Sequence, residues 1–451
     1  MNTQREGGYT LTPFNRCAIQ AQSIFRGGNS MPAPLEGLRV IELTTAIQGP
    51  AAALHFANMG ADVIKVEPPM GDASRFHRGA NNPLPETALT SAFLSMNKGK
   101  RSVTLDVHTD LGAQLMDKLL SSADVFISNY RASALNRMGL DLDELPNKYP
   151  KLVIGHVNGF GPKGDDADKA MLDGAAQARG GVSSMCGSAD GTPTPPGVSI
   201  ADHGGAMQLA LACMTGLVTR ATTGRGQLVR TSSLGGQLWM QMWELQHSAL
   251  TGNPLSRDGA YHPNLKAPYG VYISSDGVPV CYVAAMTDDA WASWWIFADR
   301  PEMILMEEWD SAGKRIGITG NEVNLPEIRQ AMKAAFASKT FAELEAFLYS
   351  EPEIIWERVR SHQEVLTDPQ NIANDYIVDI ELPETGTTKT VGSLMAFSDT
   401  PTNAPQLPPG LGEHTSAVMS ELGMTEAEIA SLLAHSESVR EEMYAVLLGS
   451  T

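Results

Sequence analysis

Short apolar runs that alternate with helical stretches constrain this chain more than any other feature of it. Leu38-Arg39-Val40-Ile41-Glu42-Leu43 has strand character, and a turn at Ala46–Pro50 follows it. A small-residue helix over Ala51–Met59 and a second strand over Asp62–Val66 complete a βαβ unit. Such a unit holds its strands parallel and places its first loop at a strand's carboxyl end. Further strands are predicted at Val103–Asp106, Val125–Ser128 and Val153–Val157, with helical segments between them, notably Leu111–Ser121. The alternation predicts a Rossmann-like α/β large domain that binds its ligand in the carboxyl-end loops.

After residue 196 an acid, Asp202, stands between an apolar stretch and a helix predicted over Gly204–Thr222. A turn at Thr223–Gln227 and a strand at Leu228–Ser232 come next. Then the composition changes. Leu238–Leu250 is rich in Trp and Met, and Val271–Ala284 reads as a hairpin turning at Ser275-Asp276-Gly277. Helices are expected over Asp288–Ala298, Leu325–Ala337 and Phe341–Ser350, and a Pro-rich linker at Pro401–Pro409 leads to a helical end, Glu413–Leu448. This predicts a leader over 1–30 and a large α/β domain over 31–235. A linker and smaller α+β domain follow over 236–390, and 391–451 returns to the large domain.

Several function classes are disfavoured. A net charge of −18 argues against nucleic-acid binding, which needs a broad basic surface, yet leaves room for a local basic pocket. No run of 18 apolar residues suggests a membrane span. Cys17, Cys186, Cys213 and Cys281 lack disulfide or metal spacing and read as reduced cytoplasmic thiols, and the ten histidines do not cluster as metal ligands. There is no Gly-x-Gly-x-x-Gly after the first strand, no P-loop and no His-Glu-x-x-His. The leader, with Arg5, Arg16 and Arg26, reads as a disordered segment or as sequence upstream of a start at Met31; a transit peptide shares its composition.

Three loops at predicted strand ends remain. Ser95–Ser102 is basic and suits phosphate; it equally suits a solvated turn. Asn129-Tyr130-Arg131, with Arg137 beyond, carries the same two readings. Asp202 is either a reactive acid or the cap of the helix after it.

At these residues the chain resembles the class III CoA-transferases, from about Pro34 to about Ala434. The segments that carry the likeness stand in family order. They include Leu35–Leu43 with Gly49-Pro50, Gly60–Pro68 with Gly71-Asp72, Asn97–Ser102 and Asn129 through Gly139. Gly159–Gly164, Gly197–Asp202, Thr223–Gln227, Ala267–Gly270 and Gly412–Thr415 close the series. The resemblance implies that Asp202 attacks an acyl-CoA thioester and that Asp173 is an acid beside it. It implies CoA contacts at Asn129 and Arg137, to which Asn97, Lys100, Arg101 and Arg75 are added from the basic loops. It also implies an obligate homodimer of ring-shaped, interlocked chains, with acyl-CoA and a carboxylic acid as substrates and no tightly bound cofactor. A carboxylate is ionised at neutral pH and needs no base to attack. The backbone N–H groups of Gly204 and Gly205 are the expected oxyanion donors.

The likeness is incomplete. Ile47 stands where the formyl-CoA enzyme has glutamine, with Gln48 displaced behind it; Pro68 replaces an arginine; and no glycine run appears near His262–Gly270. The α-methylacyl-CoA racemases share the fold and an aspartate at 202, but their histidine base aligns with Leu172, which cannot carry a proton. A non-catalytic acyl-CoA binder is the alternative from another class. Trp239, Met240, Met242 and Trp243, like Trp291, Trp294 and Trp295, fit either an acyl pocket or a buried helix face.

Overall fold

Asp62 sits directly beside Arg39, and Val125 flanks Val40 on the other side, so the first strand lies at the centre of a parallel sheet. The computed structural model describes residues 31–85, 88–265, 268–315, 325–383 and 385–447. The leader, Ala267 of the Ala267–Gly270 segment and Leu448 at the expected helical end lie outside the described residues.

The large sheet comprises β1 (Arg39–Leu43), β2 (Asp62–Glu67), β3 (Arg101–Thr104), β4 (Val125–Ser128), β5 (Val153–Asn158) and β6 (Leu228–Ser232), in the order β3-β2-β1-β4-β5-β6. The strand order reverses between β1 and β4, and the loops that leave those two strands diverge. That crevice is where doubly wound sheets take their ligands. Helices α1 (Gln48–Asn58), α2 (Ser91–Asn97), α3 (Asp110–Ser121) and α4 (Ala132–Arg137) follow β1, β2, β3 and β4 respectively. Between β5 and β6 stand α5 (Asp173–Gly180) and the long α6 (Ile200–Thr223); α7 (Ser233–Met240) and α8 (Met242–Thr251) follow β6.

The central strands β1, β4 and β5 are largely apolar on both faces because both are covered, whereas β6, at the edge, is only partly buried. Val40, Phe56, Val153, Leu209 and Cys213 fill one side. Ile41, Leu115, Phe126 and Ile154 fill the other, joined by Val418, Met419 and Leu432 from α12 (Thr415–Glu421) and α13 (Glu426–Leu447), counting the helices in chain order. The chain's end therefore returns to the first sheet. A second core forms around the antiparallel sheet of β7 (Gly270–Ile273), β8 (Pro279–Ala285) and β9 (Ile354–Arg358). It is covered by α9 (Asp288–Phe297), α10 (Leu325–Ala337) and α11 (Phe341–Ser350), and a separate hairpin pairs β10 (Ile377–Leu382) with β11 (Gly386–Val391).

Trp291, Trp294 and Trp295 are buried in that second core, which settles their two readings. Trp239, Met240, Met242 and Trp243 do the opposite: all four are exposed, so they form no buried face in the single chain, and Trp239 and Met242 line an open cavity of about 710 Å³.

Candidate active site

The β1–α1 loop is held from both sides. Asn129, just after β4, accepts from the Thr45 N–H at 2.9 Å and donates to the Thr45 carbonyl at 2.7 Å. Asp72 accepts from the Ala46 N–H at 3.2 Å and from the Thr45 hydroxyl at 3.3 Å. So clamped, Ala46 takes a φ of 62°, unusual for a residue with a Cβ.

Beneath the loop lies a buried ionic frame. Lys65 bridges Glu42 at 3.0 Å and Asp72 at 2.8 Å, while Lys100 meets Glu42 at 2.7 Å. Lys100 also donates to the Pro50 carbonyl at 2.9 Å and to Asn97 Oδ1 at 3.0 Å. Burial works to raise the Glu42 pKa, but Lys100 and Lys65 outweigh it and hold the carboxyl below its ordinary value. Acids and cations are each satisfied by one another, as burial requires.

Four residues expected to contact the coenzyme are engaged with other groups of the chain. Asn97 and Lys100 are interior and spend their polar atoms on the frame. Arg101 opens β3 at the amino end of the sheet, opposite the ligand loops, and pairs with Asp62 and Glu421. Arg75 grips Glu67 through two bonds of 2.7 Å and is closed over by the Pro409 carbonyl. Arg137 differs: it ends α4, exposed, with no hydrogen bond or ion pair among the described residues. Asp168 is held below its ordinary pKa first by Ser133 and then by Arg131 and Arg137, both of which lie near it.

Asp202 is the third residue of α6, one turn earlier than the glycines suggested, and is not its cap. Asp173 performs that task from α5, accepting from the N–H groups of Ala201 at 3.0 Å and Asp202 at 3.2 Å. Gln177 donates to the other Asp173 oxygen. The Asp202 side chain is thereby free for other partners. Its Oδ1 accepts from Gln48 Nε2 at 2.9 Å and from the Ser233 hydroxyl at 3.0 Å, and Gln48 also donates to Ser233. Oδ2 accepts no hydrogen bond among the described residues. Asp202 is 8% exposed and borders a cavity of about 200 Å³, shared with Ile47, Gln48, Asn129, Arg131 and Leu172. The cavity opens at the β1/β4 switch point.

Burial raises the Asp202 pKa; hydrogen bonds from Gln48 and Ser233 pull it down, and the Asp173 charge adds to the rise. The net direction is upward, which makes the anion more basic and more nucleophilic. Asp173→Asn keeps an acceptor for the α6 N–H groups and removes the charge. The acid limb of the kcat/KM profile should then move to lower pH; an unmoved limb would show that the limb does not report Asp202.

Gly204 and Gly205 are not the expected oxyanion donors. They lie inside α6, where N–H groups bond to carbonyls one turn back. Their lack of a side chain serves packing instead: a Cβ on Gly204 would stand 2.9 Å from the carbonyl carbon and oxygen of Gly236, in α7. Sequence reasoning missed Ser233 and set Gln48 aside as displaced. Gln48 reaches Asp202 because α1 begins three residues before the predicted helix start, so its side chain projects from the first turn. For Ser233 the only available signal was its place at a strand end, immediately before a helix.

Among the described residues, no three His, Cys, Asp or Glu side chains are grouped to hold a metal, and no helix is long and apolar enough to cross a membrane. What the site offers is one activated carboxylate with a defined free oxygen, at a crevice suited to a nucleotide-bearing ligand. The chain belongs to CoA-transferase family III, whose sequence profile matches residues 35–415, and is an enzyme of that family. It is 29% identical to a formyl-CoA:oxalate CoA-transferase of Rhodopseudomonas palustris, over 89% of this chain and 96% of that protein. Identity is also 29% to a succinyl-CoA–D-citramalate CoA-transferase of Chloroflexus aurantiacus, covering 89% and 98%. An (R)-2-hydroxy-4-methylpentanoate CoA-transferase of Clostridioides difficile is likewise 29% identical, covering 88% and 97%. A CAIB/BAIF family protein from Brucella suis has the same fold, with a TM-score of 0.74 and 27% identity over 87% of this chain and all of that one.

Proposed function

We propose that this enzyme moves CoA from an acyl-CoA donor to a carboxylic acid by covalent catalysis on Asp202. The observation that carries the reading is the Asp202 carboxylate, buried at the switch point with Oδ1 held by two donors and Oδ2 left for attack. Oδ2 attacks the donor thioester, giving a mixed anhydride and CoA thiolate. The thiolate attacks Cγ, giving an aspartyl-CoA thioester and the donor's free acid. The acceptor carboxylate then reverses both steps. The uncapped first turn of α1, whose first residue is Gln48, supplies positive potential for the oxyanion on the donor carbonyl.

Arg131, on the cavity wall, and Arg137 are the cations proposed to receive the coenzyme's phosphates, with Asn129 holding the loop between them and Asp202. Exchange of an α-proton is less well supported. Leu172, 79% exposed at the cavity edge, cannot titrate, and His203 next to Asp202 is exposed. The test is a screen of donor and acceptor acids, with hydroxylamine trapping and Asp202→Ala as the control. Transfer that survives in Asp202→Ala would refute the reading, and deuterium entering the α-carbon would favour the racemase.

An interlocked homodimer is part of the proposal, as is the division at residues 235 and 390. Met207, Leu211 and Val218 on α6 and Trp239, Met242 and Leu250 on α7 and α8 are large apolar side chains left exposed, which supports a protein interface there. The full chain should elute at twice its 48.3 kDa mass. Leu211→Asp with Trp239→Asp should shift it to one mass unit; a wild type already at one unit would overturn the dimer. The scattered thiols Cys186, Cys213 and Cys281, all unpaired, agree with a cytoplasmic site of action.

A further inference from the structure

Covalent chemistry on an aspartate creates a need that attack on the donor does not. In the first step negative charge develops on the donor's carbonyl oxygen. In the two middle steps the carbon under attack is Cγ of Asp202 itself, and in the last the thiolate attacks the acceptor's acyl carbon and releases the Asp202 carboxylate. The thiolate forms a C–S bond to Cγ as the anhydride C–O bond breaks. The acceptor carboxylate then forms a C–O bond to Cγ as the C–S bond breaks. Each attack on Cγ passes through a tetrahedral centre whose charge rests on the Asp202 oxygen that is neither attacked nor attacking. With Oδ2 making the bond to the acyl group, that oxygen is Oδ1.

We propose that Ser233 and Gln48 form a dedicated oxyanion hole for Asp202 Oδ1, with the Ser233 hydroxyl as a catalytic donor. The inference rests on the aspartyl mechanism proposed above and assigns a second, separate hole to its two middle steps.

Both donors already stand where such a hole requires them. They lie 2.9 and 3.0 Å from Oδ1, within the range of about 2.7–3.1 Å that effective oxyanion donors keep. Each is buried and fixed to a helix start: Gln48 is the first residue of α1, Ser233 the first of α7. Ser232, the cap of α7, fixes the turn by accepting from the Gly235 N–H at 2.9 Å. The remaining Gln48 amide hydrogen goes to Ser233, so the hydroxyl's own hydrogen is directed at Asp202. A bond to a full carboxylate charge in the resting enzyme somewhat blunts the first attack. That arrangement makes sense if the donors' larger return comes when Oδ1 carries the charge of a tetrahedral centre in low-dielectric surroundings.

The experiment isolates the middle steps. Enzyme is loaded with an acyl-CoA, acceptor acid is added, and the aspartyl-CoA thioester on the Asp202 peptide is followed by rapid quench and mass spectrometry. Ser233→Ala should slow decay of the thioester by about 100-fold, with KM for acyl-CoA within about two-fold of wild type. Ser233→Thr, which retains the hydroxyl, should recover most of the rate. Should Ser233→Ala fail to fold, Gln48→Ala removes the other donor and should give the same slow decay. Decay at the wild-type rate in a folded Ser233→Ala enzyme overturns the hole while leaving the aspartyl mechanism standing. Absence of any adduct in the wild type overturns the mechanism, and the hole with it.

Discussion

Asp202→Ala should lower CoA transfer by roughly 10⁴-fold or more, the order of loss seen when a covalent nucleophile is removed and only binding and polarisation remain. The fall should appear in kcat with every donor and acceptor pair, because in the proposed mechanism the same carboxyl group serves both half-reactions. Hydroxylamine should then trap nothing at that peptide. Asp202→Asn should be as inactive, yet more stable than the wild type. Here the sign follows from linkage. The fold raises the Asp202 pKa, so the native chain binds this proton more tightly than the unfolded chain does. Stability from this group therefore rises as pH falls through the raised pKa, and at neutral pH the ionised carboxylate is a net cost. A neutral isostere removes that cost, and a rise in Tm of about 1–3 °C is expected for a chain of this size. A dead variant that also melts lower would mean that Asp202 serves the fold and not the chemistry.

Gly236→Ala should damage the packing of α6 against α7. Gly204 and Gly236 bring the backbones of α6 and α7 into direct contact, and a Cβ on Gly236 would press on the Gly204 carbonyl carbon and the Gly205 nitrogen. Neither atom belongs to a flexible side chain, so the helices must separate. Overpacking of this kind costs about 1–3 kcal/mol, and more where main chain is forced to move. The functional effect should exceed the thermal one. Ser233 lies three residues before Gly236 on the same helix, and a displacement of about 1 Å between reacting groups is enough to cost about 100-fold in rate. Thermal melting and steady-state kinetics on the one variant should show a modest fall in Tm beside a large fall in kcat. If both are unchanged, the close contact between the two helices does not set the site.

Much of the fold was legible because its signal is local. Val125–Ser128 was read with its observed bounds because a strand covered on both faces is continuously apolar, and Leu228–Ser232, a partly buried edge strand, because a turn precedes it. Helix starts were harder. α1 and α6 begin three and four residues before their apolar pattern, with Gln48 and Ile200 in positions that carry no capping residue. The cap of α6 arrives instead from Asp173, 28 residues earlier for Ala201, and no local pattern encodes that. The same limit explains the site. Asp202 and Asp173 were singled out through family order, and the fold sets them side by side; Lys100, Arg101 and Arg75 were chosen as cations, and a cation in the sequence reads alike whether it meets solvent or a buried acid. Only the fold reveals that Glu42, Asp62 and Glu67 had already claimed them.

Those claimed charges have a kinetic consequence. Lys65, Glu42 and Lys100 are sealed from solvent, so the ionic frame beneath the β1–α1 loop is beyond the reach of dissolved ions. Arg137, by contrast, stands in the open. With Arg137 in its proposed role, ionic strength should act on this enzyme as a selective instrument: it weakens capture of the anionic coenzyme and leaves the turnover of captured coenzyme untouched. In such a molecule, tolerance to salt is divided by depth, with the chemistry set in the interior and only the approach to it exposed to the medium.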